Sequence, residues 1–83
     1  MERVDNEIKK IISQHLGVGE REITDSSDLK EDLNASPLEI ADLITKLEEV
    51  FRLKIPEDEV QKFSTVGDII TFLSDNIHEI ERF

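Results

Sequence analysis

The chain has 83 residues, twenty acidic against ten basic side chains, a formal charge of −10 and no cysteine. That length suffices for one small domain, 1–83, with a modest core, and the lack of cysteine excludes a disulfide framework or a thiolate metal site. The charge argues against nucleic acid as a partner, because phosphate binding relies on Lys and Arg, and the absence of a long apolar run argues against a signal segment or membrane span.

Residues 3–16 read as an amphipathic helix, since Val4, Ile8, Ile11, Ile12 and Leu16 recur at steps of three and four. Gly17 supplies the stop, because glycine adopts the left-handed conformation without penalty. From Val18 to Ala35 the chain is polar, with Thr24, Asp25, Ser26, Ser27 and Asp28 clustered as turn formers. This reads as a long ordered loop, held by Val18, Ile23, Leu29 and Leu33 tucking inward, with a short helical turn near Leu29.

A second helix should begin sharply at Ser36, where Ser36 and Glu39 form a capping box and Pro37 falls at the first helical position. Its apolar stripe would be Leu38, Ala41, Leu43, Ile44, Leu47, Val50 and Phe51, with Glu39, Asp42, Lys46, Glu48 and Glu49 towards water. A third, short helix is expected over about 57–62 after Pro56, opened by three acids and anchored by Val60 and Phe63. A fourth runs from Val66 to about Glu81, capped by Thr65 with Asp68 three residues on, and faced by Val66, Ile69, Ile70, Leu73 and Ile77. No strand alternation appears, so the expected fold is all-α, a four-helix bundle with three longer helices and one short.

Taken together, DLNASPLEIADLITKLEEVF at 32–51, Leu16-Gly17-Val18, the acidic turn 26–33, the run Leu53 to Pro56 and Ser64-Thr65-Val66-Gly67-Asp68 resemble an acyl carrier protein over essentially the whole chain. In such carriers one stretch runs Asp-Leu-Gly-Ala-Asp-Ser-Leu, and its serine hydroxyl takes a 4'-phosphopantetheine arm. Asp32, Leu33, Ala35 and Leu38 fall on that pattern without a gap, so Asn34 stands at the glycine, Ser36 at the aspartate and Pro37 at the attachment serine. Proline has no hydroxyl. An arm, if carried, would therefore sit on Ser36, displaced by one residue and swung about 100° around the helix axis. The plainer reading of Ser36 is an N-cap, worth about 1 kcal/mol to the helix, and the residues favour it.

The resemblance also implies that the acidic second helix docks on basic surfaces of acyl-chain synthases, ligases or transferases, through Glu39, Ala41, Asp42, Thr45, Glu48 and Glu49. Residues 36–51 carry four acids against one base, and carboxylates on a rigid helix steer basic partners whatever the family. Read without the resemblance, they are an ordinary solvated face. His15 and His78 are the only histidines and have no partner at ligand or triad spacing, and the acidic loop lacks the spacing of a calcium site, so neither catalysis nor a metal centre is expected. The expected protein is thus a non-enzymatic, monomeric, cytoplasmic carrier that docks acyl-handling enzymes. The alternatives are an unloaded interaction or regulatory module on the same scaffold, and a structural part of a larger assembly.

Overall fold

In the computed structural model, which describes residues 2–76, the chain folds as α1 (Glu2–Leu16), a 3-10 turn (Glu20–Glu22), α2 (Pro37–Phe51), α3 (Glu57–Val60) and α4 (Val66–Asn76). α1 packs against both α2 and α4. Val4, Ile8, Ile11 and Ile12 are buried, meeting Leu43, Ile44 and Leu47 of α2 and Val66, Ile69, Ile70 and Leu73 of α4 in one core. These are the positions at helical steps, so periodicity alone decides which side of each helix turns inward. Gly17 ends α1 with φ 70° and donates its N–H to the Ser13 carbonyl at 2.9 Å, the left-handed termination that glycine permits.

The segment between α1 and α2 is ordered because it is part of the core. Ile23, Leu29 and Leu33 are buried and Val18 packs against them from the edge. Its backbone, taken away from water, needs partners, and the start of α4 supplies them. The Leu29 N–H donates to the Ser64 carbonyl (2.9 Å), the Val66 N–H to the Ser27 carbonyl (3.0 Å) and the Gly67 N–H to the Asp25 carbonyl (2.7 Å). One antiparallel bridge pairs Asp28 with Thr65. Ser27 is buried, and its hydroxyl accepts from the Thr24 N–H at 3.0 Å. Lys9, only partly exposed, reaches from α1 to Asp25 at 3.1 Å and holds the loop from the other side.

Three local details differ from the sequence expectation. Besides the expected helical turn around Leu29, closed by the Asp32 N–H on the Asp28 carbonyl at 3.0 Å, a 3-10 turn forms earlier, at Glu20–Glu22, where no apolar period marks it. α3 is four residues long; beyond Val60 the chain tightens into turns in which Lys62 N–H meets the Glu59 carbonyl and Phe63 N–H the Val60 carbonyl. Leu38, Ala41 and Val50 do not join the buried stripe of α2: Leu38 is 70% exposed, Val50 39%, and Ala41 is exposed. Leu38 lies nine residues from buried Leu47, which at about 100° per residue puts it on the opposite side of the helix. The expected end of α4, including Ile77, lies outside the described residues.

The cap of α4 follows the sequence expectation. Asp68 N–H donates to the Thr65 hydroxyl at 3.2 Å, while the Asp68 carboxylate accepts from Ser64 N–H at 2.8 Å and Thr65 N–H at 3.0 Å. The Ser64 and Thr65 N–H groups, aided by the Thr65 hydroxyl, hold the Asp68 carboxyl below its ordinary range against a small opposing desolvation.

Two outcomes are expected. A depressed folded value means that Asp68 stabilises the fold above the unfolded carboxyl pKa, about 3.9, and that this stability is lost as pH falls through the folded value. Denaturant melts of wild type and Asp68→Asn should therefore differ at pH 7 and converge at strongly acid pH. At Gly67, a Cβ would meet the Asp25 carbonyl oxygen at 2.9 Å. Although alanine gains about 1 kcal/mol over glycine within a helix, forcing this backbone contact apart costs about 1–3 kcal/mol, so Gly67→Ala should lower the urea midpoint.

Candidate functional site

The chain enters α2 through four residues that alternate inward and outward. Leu33 and Ala35 are buried, and the Ala35 N–H donates to the Leu29 carbonyl at 2.9 Å. Between them Asn34 is exposed with φ 59°, a left-handed conformation that suits glycine and that asparagine tolerates better than most residues. Ser36 follows in extended conformation and caps the helix from both directions. The Glu39 N–H donates to Ser36 Oγ at 3.1 Å, and the Ser36 N–H donates to Glu39 Oε1 at 2.8 Å. Pro37 occupies the first helical position, where a missing N–H has no cost.

An arm joined through a phosphodiester needs a hydroxyl at this foot of α2. Pro37 offers none. The Ser36 hydroxyl is exposed, but it is the acceptor that closes the first turn. The residues present therefore do not provide an uncommitted hydroxyl here.

Along the helix, Glu39, Ala41, Asp42, Thr45 and Glu49 are all exposed. Their carboxylates are not equivalent. Glu39 is engaged in the cap, and Glu48, only half-exposed, uses Oε2 to accept the Ile55 N–H at 2.9 Å, tying the end of α2 to the extended strand of chain before α3. Asp42 and Glu49 instead line an open groove of about 260 Å³ with Thr45, Lys46 and His15. The Thr45 hydroxyl turns back to the Ala41 carbonyl at 3.1 Å, leaving a flat neutral step between the two acids. Among the described residues the ion pairs are Lys9 with Asp25 and Lys62 with Glu59, so none lies on α2.

Two contributors were not singled out from sequence. Asp42, Thr45, Lys46 and Glu49 fall at i, i+3, i+4 and i+7, so their shared face was readable. The approach of His15, from the last turn of α1, depends on how α1 packs and leaves no mark in the spacing. Leu38, placed by pattern in the stripe, instead stands at the open end of the acidic face. Ile44 is core, and Ile40 is half-buried against it.

Comparison with known proteins agrees with this scaffold. The family model described as "Phosphopantetheine attachment site" matches residues 6–73. An acyl carrier protein of Borreliella burgdorferi is 44% identical over 72 residues, covering 87% of this chain and 90% of that protein. One from Wolinella succinogenes is 35% identical over 71 residues, covering 86% and 93%. The solved acyl carrier protein of Enterococcus faecalis superposes with a TM-score of 0.77 at 31% identity, covering 90% of this chain and 95% of that one. No helix among the described residues is long and apolar enough to cross a membrane. The capped second helix, the ordered loop and these matches over most of the chain coincide, and the protein belongs to the phosphopantetheine attachment-site family, carriers rather than catalysts, on the acyl carrier protein fold.

Proposed function

We propose that this protein presents the acidic face of α2 to basic surfaces of acyl-handling enzymes, and that it does so without an arm, as an interaction or regulatory module on the carrier scaffold. The observation that carries the second half is the reciprocal cap at Ser36 and Glu39 with Pro37 between them. In this reading Pro37 takes the place of the modified serine, and Ser36 replaces a capping aspartate with another good cap. Loading Ser36 would turn a hydroxyl acceptor into a phosphate ester and weaken the bond from the Glu39 N–H. The first half is supported by Asp42 and Glu49, exposed on one groove and outside the ion pairs found among the described residues, with exposed Leu38 one turn before Asp42. Such charges mainly accelerate encounter and leave release fast.

Loading is tested by intact mass after incubation with coenzyme A and a broad-specificity phosphopantetheinyl transferase. Wild type should gain no adduct. Pro37→Ser should gain one, because it adds a hydroxyl at the first helical position while the Ser36 cap stays in place. An adduct on wild type that disappears in Ser36→Ala would instead make the protein a displaced carrier and overturn the unarmed reading.

Docking is tested by association kinetics with a basic-surfaced acyl synthase at low and high salt. Asp42→Lys with Glu49→Lys should slow association by about tenfold at low salt and flatten its salt dependence. Glu20→Lys with Glu22→Lys, an equal charge change on the exposed 3-10 turn, should do much less. Equal slowing by the two pairs would mean that overall charge, and not α2, guides the encounter.

A further inference from the structure

A second groove, of about 320 Å³, opens between α3 and α4 and shares no residue with the α2 face. Its floor is aromatic. Phe63 and Phe72 meet edge to face with centroids 5.8 Å apart and planes at 64°, and both are only half-buried, so ring surface remains in reach of solvent. On α4 the residues Asp68, Thr71, Phe72 and Asp75 line the groove at i, i+3, i+4 and i+7, so a ring is flanked above and below by a carboxylate on one helix face. The opposite wall holds Glu59 and Lys62, which face each other at 3.8 Å. Among the described residues that line the groove, Lys62 is the only cation, against three carboxylates.

This composition selects its occupant. Aromatic faces attract cations through the ring quadrupole, and arginine is favoured over lysine because its planar guanidinium both stacks on rings and bonds carboxylates in pairs. Asp68 is ionised into the acid range by the N–H groups that it caps, so one end of the groove stays negative. Asp68 and Asp75 are seven residues apart, about 10.5 Å along the helix. An extended polyproline-II segment advances about 3.1 Å per residue with three residues per turn, so two basic side chains three residues apart share one side of it and come close to that span, with the apolar side chains between them beside the Phe63–Phe72 pair. A second copy of this chain is a poor fit, since the two would bring charges of −10 together.

The geometry points to a second docking surface: the α3–α4 groove takes a partner protein's extended basic segment, with two arginines at Asp68 and Asp75 and an apolar residue on the aromatic floor. Such a surface would let one partner be held here while α2 meets another. It does not depend on the reading of α2, because the residues that report on it are different.

The probe is the peptide acetyl-Arg-Leu-Leu-Arg-amide, titrated at low salt into the 15N-labelled full chain and followed by amide shifts. Saturable shifts should centre on Phe63, Thr71, Phe72 and Asp75. Asp75→Lys and Phe72→Leu should each weaken binding by about threefold to fivefold. Asp42→Lys, with the same charge change as Asp75→Lys, should weaken it by less than about twofold, and the Glu-Leu-Leu-Glu counterpart should not bind. Thermal melts of each variant establish that it is folded, and Asp75 is exposed, so its replacement leaves the core intact. Absence of saturable shifts, shifts centred on α2, equal losses in Asp42→Lys and Asp75→Lys, or equal binding of the acidic peptide would each overturn the proposal.

Discussion

The fold rests on backbone hydrogen bonds between a loop and the first turn of a helix. In this small bundle the helices do not close the core alone: Ile23, Leu29 and Leu33 from the connection complete it. Burying those side chains drags their peptide groups out of water, and each unpaired group would cost about 1–3 kcal/mol. The start of α4 is the element that prevents this loss, through the carbonyls of Asp25 and Ser27 and the N–H of Leu29. The close approach at Gly67 and the Lys9–Asp25 contact serve the same junction. Helix α4 thus acts on the long loop much as a neighbouring strand would, without a sheet being formed.

The proposed docking surface inherits its position from that junction. Leu29, fixed against Ser64, offers its carbonyl to Ala35, and this bond aims the chain into α2. Asn34 makes the required turn in a conformation few residues accept, and Ser36 and Glu39 then start the helix abruptly. Each step is local chemistry, yet together they fix the angle at which Leu38, Asp42 and Glu49 are shown to solvent. Residues that define the start of α2 are therefore structural first, and this is why Ser36 reads as part of the frame.

Much of this was legible beforehand. The helix starts were the clearest, because Ser36 with Glu39 and Thr65 with Asp68 each satisfy orphan N–H groups in a way that depends on four consecutive residues. The inward residues of the loop were legible for the same reason that makes them buried: they are isolated apolar residues in a polar stretch. What periodicity misjudged was width. Leu38 and Val50 are apolar but lie outside the arc that α1 and α4 cover, and a count of apolar residues does not reveal how wide that arc is. The approach of His15 to the α2 face depends on packing between helices distant in sequence, and the edge-to-face meeting of Phe63 with Phe72 on the angle at which the chain enters α4, for neither of which a local rule exists.

Glu48 gives the acidic helix an asymmetry that charge counting conceals. The Ile55 N–H engages the carboxylate of Glu48 and the Ser36 N–H that of Glu39 at the opposite end, so the acids of the rod without a backbone partner among the described residues are Asp42 and Glu49. The Glu48 contact ties the end of α2 to the chain entering α3, and a cation that drew this carboxylate away would compete with the Ile55 N–H. On the proposed docking surface, a visitor that engages Asp42 leaves this tie alone, whereas one that engages Glu48 pulls on it.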